Sequence, residues 1–161
     1  MGKETSVSDP MAKAHPFFIG PNVWPDLPSE LFRQPMEAYY AVMQQLSLKV
    51  LRILALGLPY GPRVFDEFTS NQAVAVMRLL HYPPTRVVRD KQLGAGAHTD
   101  FGSITLLLQD DVPGLQVLND ATGEWIDVEP NPDAYVVNIG DMMDMFSQNR
   151  LWVLKSCKKR G

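Results

Sequence analysis

Three histidines stand in the 161-residue chain, His15, His81 and His98, and only His98 has a partner at a spacing suited to chemistry. It lies in Gly-Ala-Gly-Ala-His-Thr-Asp, residues 94–100, so that Asp100 follows two positions later. On extended backbone successive side chains alternate, and residues two apart project to one face. An imidazole nitrogen and a carboxylate oxygen converging from one strand make two adjacent donors for a divalent cation. Mixed nitrogen and oxygen ligation with open positions suits Fe(II) in the arrangement of two histidines and one carboxylate. The pattern also has a plainer reading of the same spacing, a strand-end histidine hydrogen-bonded to a nearby aspartate. His15 falls in a loose leader and is given no role.

The surrounding sequence must position this pair. Proline at 16, 21, 25 and 28 makes the stretch before residue 30 extended and turn-rich, because proline removes a backbone donor and forbids regular helix. Pro35 suits a first helical turn, and Met36, Tyr39, Tyr40, Met43, Leu46, Val50, Leu51 and Leu54 follow at helical spacing until Gly57 and Pro59. The spacing predicts one helix over 35–56, with a short helical turn over 63–69. Beyond Asn71 the texture becomes that of strands, expected over 73–82, 103–109, 114–118, 124–128 and 134–139. Asp-Asp-Val-Pro-Gly, Asn-Asp-Ala-Thr-Gly and Pro-Asn-Pro-Asp between them are turn sequences. Short antiparallel strands at such intervals imply a sandwich or jelly roll. His98 is expected just ahead of the 103–109 strand.

Composition limits what this fold serves. Hydrophobic residues make up 45% of the chain and charged residues 20%, which allows a packed core. The net charge of −3 argues against a phosphate-neutralising nucleic-acid surface. Charge is uneven: residues 1–70 sum to −1, residues 71–150 to −6, and the last eleven to +4. No apolar run approaches the roughly 18 residues of a membrane span. The polar start, Met1 to Pro10, does not read as a secretory signal, and one cysteine, Cys157, excludes an internal disulfide framework. These features lead to the expectation of a soluble, cytoplasmic protein.

Residues 77–84 (Met-Arg-Leu-Leu-His-Tyr-Pro-Pro), 96–109, 114–117 (Gly-Leu-Gln-Val), 123–128 (Gly-Glu-Trp-Ile-Asp-Val) and 132–143 together resemble the Fe(II)/2-oxoglutarate-dependent dioxygenases of the isopenicillin N synthase-like group. Order, spacing and residue type agree over roughly 70 residues. The resemblance implies a double-stranded β-helix, Fe(II) as metal, and 2-oxoglutarate as co-substrate with dioxygen. His98 and Asp100 would be the first two iron ligands. Tyr82 matches a tyrosine that helps hold 2-oxoglutarate, although a strand-end aromatic in the core reads equally well. Leu106 and Leu108 would pack the barrel wall, and Met142, Met143 and Met145 would fill core.

The chain departs from the family pattern in its last residues. No histidine follows His98, and by count the distal histidine ligand falls near Ser156. Cys157 lies close to that place, and thiolates bind iron. The arginine-x-serine pair that clamps 2-oxoglutarate in relatives does not occur. The expectation is therefore a mainly β protein with an α-helical front part and an incomplete jelly roll. Residues 1–15 form a disordered leader, 16–70 a helical front segment, 71–146 the jelly-roll core and 147–161 an atypical basic tail. The implied activity is Fe(II)- and 2-oxoglutarate-dependent oxidation of a small organic substrate, of hydroxylation or desaturation type, with turnover absent or low. The alternative is a catalytically silent fragment acting as an interaction module, pairing with another chain through open sheet edges. Neither nucleic acid nor membrane is an expected partner.

Overall fold

A computed structural model describes residues 1–2, 5–16, 19–69, 74–83 and 93–159. Expectations for residues 3–4, 17–18, 71–73, Pro84 and 160–161 lie outside the described residues. The chain divides into two units, Met1–Leu80 and His81–Gly161.

In the first unit, α1 (Pro10–Ala14) is capped by Asp9, whose carboxylate accepts from the Met11 amide at 2.8 Å. The expected disordered leader thus carries a helical turn, because Asp9 and Pro10 satisfy the two demands of a helix start, an N-cap acceptor and a pre-set φ. α2 (Arg33–Leu56) follows the sequence periodicity, with Pro35 in its first turn and Gly57 at its end. Met43, Leu46, Val50 and Leu54 are half-buried, and Tyr40 and Ala55 are buried. Residues 62–69 form consecutive turns, where the short helical turn was expected.

Residues 74–83 do not form the expected strand. Among the described residues their ladder contact is an isolated bridge from Val76 to Gly2, beside hydrogen bonds that pair the Met1 amine and carbonyl with Met77. A strand exists only where a neighbour takes its backbone groups. The Tyr40 hydroxyl adds a bond to the Ala75 carbonyl at 2.9 Å.

Among the described residues, the second unit holds six strands in two antiparallel sheets. β1 (Leu93–His98), β3 (Leu115–Asn119), β4 (Glu124–Asp127) and β6 (Ser156–Lys159) form one sheet, in the order β1-β6-β3-β4. β2 (Ile104–Leu107) and β5 (Val136–Ile139) form the other. The chain passes from one sheet to the other and back, which is jelly-roll winding. Ile104 pairs with Ile139 and Leu107 with Val136, while Gln116 pairs with Asp127 and Asn119 with Glu124. At the β3–β4 turn Asn119 Oδ1 accepts from the Ala121 amide, and Gly123 takes a φ of 73° that a side chain would resist.

Two parts of this unit differ from the sequence expectation. The basic tail is a strand: β6 lies between β1 and β3, so both of its edges find backbone partners. The small Ser156 and Cys157 are buried in the sheet centre, and Lys158 sends its ammonium to the Val112 and Pro113 carbonyls at 3.2 and 3.4 Å. A lysine stem can thus run along the sheet while its charge reaches acceptors at the edge. The methionine run is a short helix, α3 (Asp141–Ser147), in which only Met143 is core; Met142 and Met145 are exposed. One turn of helix cannot bury three methionines spread over four positions on one face. Leu106 is half-buried, whereas Leu108 is exposed beyond the end of β2 and does not line a wall.

Candidate active site

His98 stands ahead of β2 as expected, but it also closes a strand of its own, β1, and Asp100 lies in the loop immediately after it. The alternation expected of extended backbone holds across this junction: His98 Nε2 lies 3.7 Å from Asp100 Oδ1. The other ring nitrogen, Nδ1, is 2.8 Å from the Gly96 carbonyl oxygen. A carbonyl only accepts, so Nδ1 carries a proton, and Nε2 is the ring nitrogen left to offer a lone pair to a cation. Two electron-pair donors therefore face each other across 3.7 Å, with the His98 side chain half-exposed and the Asp100 carboxylate mostly covered.

The donor set fits a cation in part. Ligand bonds of about 2.0–2.2 Å let one ion reach donors up to about 4 Å apart, so a small side-chain rotation suffices to bring both within range. Among the described residues no third histidine, cysteine, aspartate or glutamate joins the pair. The strand that would bring one is present, and its register is explicit: His98 pairs with Ser156. The hydroxyl residue thus occupies the cross-strand position where the count from the sequence had put the distal ligand. Cys157 does not fill the gap. It pairs with Gln116 on the opposite side of β6's alternation, is buried, and directs its sulfur to Gln116 Oε1 at 3.9 Å.

Tyr82 is partly exposed and lies against β1, close enough that a Cβ on Gly94 would meet its ring at 2.9 Å. The absence of a side chain at Gly94 is what lets the ring approach the strand that carries His98.

Sequence reasoning missed a set of residues behind Asp100. Asn138 on β5 donates from Nδ2 to Asp100 Oδ2 at 3.2 Å. Gly140, between β5 and α3, presses against the same loop: an added Cβ would run into the Gly102 carbonyl oxygen and lie 2.8 Å from that of Asp100. Three backbone bonds lock the contact, from Asp141 to Asp100 (2.7 Å), Gly140 to Ser103 (3.0 Å) and Met142 to Gly102 (3.3 Å). Thr99 Oγ1 donates to Asp141 Oδ2 at 3.1 Å, and Asp141 opens α3, where a negative charge is favoured. The signal in the sequence was the string Asn-Ile-Gly-Asp, residues 138–141, whose polar residues interrupt a strand pattern.

Comparison with known proteins identifies the fold and the family. A 2-oxoglutarate-dependent dioxygenase of Monascus ruber is 52% identical over 153 residues, covering 91% of this chain and 46% of its own length. Clavatol oxidase of Penicillium crustosum is 47% identical over 153 residues, covering 87% of this chain and 45% of its own. The chain thus spans a little under half the length of these curated relatives. Among solved structures, a 2OG-Fe(II) oxygenase family protein from Caulobacter crescentus superposes with a TM-score of 0.76 at 28% identity, covering 100% of this chain and 49% of its own. A structure of JOX2 in complex with 2OG, Fe and JA gives 0.72 at 29% identity, covering 86% and 40% respectively. The fold is accordingly the jelly roll of these oxygenases, and the strand pair holding His98 belongs to it. The family model described as the 2OG-Fe(II) oxygenase superfamily matches residues 73–161, more than half of the chain, and the chain belongs to that superfamily.

Proposed function

We propose that His98 and Asp100 hold Fe(II), that Tyr82 helps hold 2-oxoglutarate, and that the activity served is oxidation of a small organic substrate by dioxygen, of hydroxylation or desaturation type. The observation that carries the reading is the pair itself: an imidazole lone pair and a carboxylate oxygen 3.7 Å apart at the end of a jelly-roll strand. When bound, Fe(II) with 2-oxoglutarate supplies the dioxygen activation that protein side chains cannot provide. The part played by this chain is positional. The Gly96 carbonyl fixes the His98 tautomer and ring plane, as outer partners of ligating histidines do. Asp100 contributes negative charge from a partly covered position, where a cation's attraction is less screened than in water. Tyr82, against Gly94, offers a phenol near the same strand. A cytoplasmic location belongs to the same proposal, supported by the single cysteine and by the lack, among the described residues, of a helix long and apolar enough to cross a membrane.

The test is anaerobic titration of the purified chain with Fe(II) and 2-oxoglutarate, followed by the weak visible charge-transfer band of the ternary complex. The band should appear and should vanish in His98→Ala. An unchanged band in His98→Ala would remove the site from these residues.

The position of Ser156 opposite His98 favours a second reading, a catalytically silent jelly-roll fragment acting as an interaction module. β4, whose four residues are all exposed, would be its pairing edge for another chain. Iron-dependent release of succinate from 2-oxoglutarate separates the two: the first reading requires it, the second excludes it.

A further inference from the structure

We infer that Asn138 is a positioning residue for Asp100: its side-chain amide holds Oδ2 so that Oδ1 alone turns toward His98 Nε2. The inference deepens the proposed function and rests on His98 and Asp100 being the cation-binding pair.

A carboxylate on a loop has two equivalent oxygens and a soft terminal torsion, so its backbone position does not decide which oxygen faces a cation, or whether both do. Here the two oxygens have different surroundings. Oδ1 faces His98 Nε2 at 3.7 Å, while Oδ2 accepts from Asn138 Nδ2 at 3.2 Å. The donor is itself well placed. Asn138 lies within β5, paired in register with Thr105 of β2, so its backbone is fixed by a ladder and not by a loop. Two residues on, Gly140 and Asp141 bind the loop that carries Asp100 through the bonds from Asp141 to Asp100 and from Gly140 to Ser103. Asn138 and Asp100 therefore move as one block. Asparagine suits the role because it donates without adding charge; an aspartate there would repel the carboxylate, and an apolar residue would leave Oδ2 without this donor. With Oδ2 engaged, Asp100 can give one oxygen to a cation and keeps the remaining coordination positions open.

Outer partners of metal ligands typically change affinity by about 10–100-fold. The experiment titrates the purified chain with Co(II) and follows the paramagnetic shift of the His98 ring protons, which works even for weak binding. Wild type should saturate, His98→Ala should lose the response, and Asn138→Leu should need at least about tenfold more Co(II) while keeping its thermal midpoint. Asn138→Gln, which retains the amide, should recover most of the affinity. Asn138→Leu binding as tightly as wild type, with His98→Ala still silent, would overturn the inference and leave the site standing. A lowered thermal midpoint with unchanged Co(II) binding would also overturn it, since that is a structural role alone. Equal responses in wild type and His98→Ala would remove the site and the inference together. Should Asn138→Leu fail to fold, the wild-type protein decides. Diamagnetic Zn(II) should shift the Asn138 side-chain amide signal together with the His98 ring, and an unmoved amide beside a shifted ring would refute the role.

Discussion

Gly140→Ala isolates the contact that fixes the loop of Asp100. At this residue φ is −100° and ψ is 168°, a conformation alanine adopts readily, so the substitution carries no backbone strain. Its effect is purely steric. The new methyl would lie 2.8 Å from the Asp100 carbonyl oxygen and closer still to that of Gly102, against about 3.3–3.6 Å for the closest ordinary carbon–oxygen contacts. Both obstacles are backbone, so no side chain can rotate away. The β5–α3 turn must retreat by at least about 0.5 Å to relieve the Asp100 contact. That movement stretches the Asp141-to-Asp100 bond, now 2.7 Å, and breaks the Met142-to-Gly102 bond, already 3.3 Å. Overpacking costs about 1–3 kcal/mol and each lost bond about 0.5–1.5 kcal/mol, so a net loss of about 2–4 kcal/mol is expected. With a urea slope of about 1–3 kcal/mol per molar, the unfolding midpoint should fall by about 1–2 M in far-UV circular dichroism. Gly102→Ala is the control, because a Cβ there meets nothing within 4 Å and should change stability by less than about 0.5 kcal/mol. A Gly140→Ala midpoint equal to that of the control would refute the close approach, and with it the anchoring of Asp100.

Three further expectations follow from other positions. Burial pushes the Tyr40 hydroxyl above its ordinary pKa of 10.0, so its contribution is intact below pH 10 and is lost as pH rises beyond that, when the unfolded chain ionises first. Tyr40→Phe should abolish this alkaline sensitivity in pH-dependent thermal melts, and should cost about 1 kcal/mol at neutral pH for the lost bond to Ala75. Ser156→His places a second nitrogen, the third donor of the site, across from His98 and should strengthen Co(II) binding at least about tenfold, an effect that His98→Ala should cancel. Gly94→Ala sets a methyl 2.9 Å from the Tyr82 ring and 3.3 Å from the Lys158 stem, both movable side chains, so the fold should survive at a cost of about 1 kcal/mol while Tyr82 fluorescence and 2-oxoglutarate affinity change.

What was legible in the sequence follows the range of the interactions involved. α2 was readable because its apolar spacing and the Pro35 and Gly57 boundaries are local. β2, β3, β4 and β5 were readable because alternation and turn residues are local too, as the Asn119 and Gly123 turn illustrates. β1 and β6 were not. Leu-Gly-Ala-Gly-Ala-His has no apolar alternation, and Ser-Cys-Lys-Lys has the composition of a solvated tail; β1 is a strand because β6 supplies its ladder partner, and β6 because β1 and β3 flank it. The segment over 74–83 failed in the opposite direction, having strand-like residues and almost no partner. The approach of His98 to Asp100 was visible because residues two apart in the chain are a local matter. Asn138 and Gly140 were not, because their significance lies in a contact with a loop 38 residues earlier in the sequence.

The placement of β6 does not depend on the side chains proposed to bind a metal. β6 is aligned by backbone bonds to β1 and β3, by the burial of two small side chains, and by the reach of Lys158 to two carbonyls. His98 takes part only through its backbone, in the pairing with Ser156. The register that puts Ser156 opposite His98 would persist with any residue of modest size at that position, because a ladder specifies which backbone positions face each other and not what they carry. On the proposed reading, the sheet sets which position faces His98, and the side chain there decides whether a third donor is present. Ser156 offers a neutral hydroxyl with a far higher pKa than imidazole, a weak donor for a divalent ion beside a neutral histidine and one carboxylate. Metal affinity and strand pairing should accordingly vary independently: substitutions at Ser156 should move the first and leave the far-UV spectrum in place, whereas a proline at Cys157, which removes a ladder amide in the sheet centre, should destroy both.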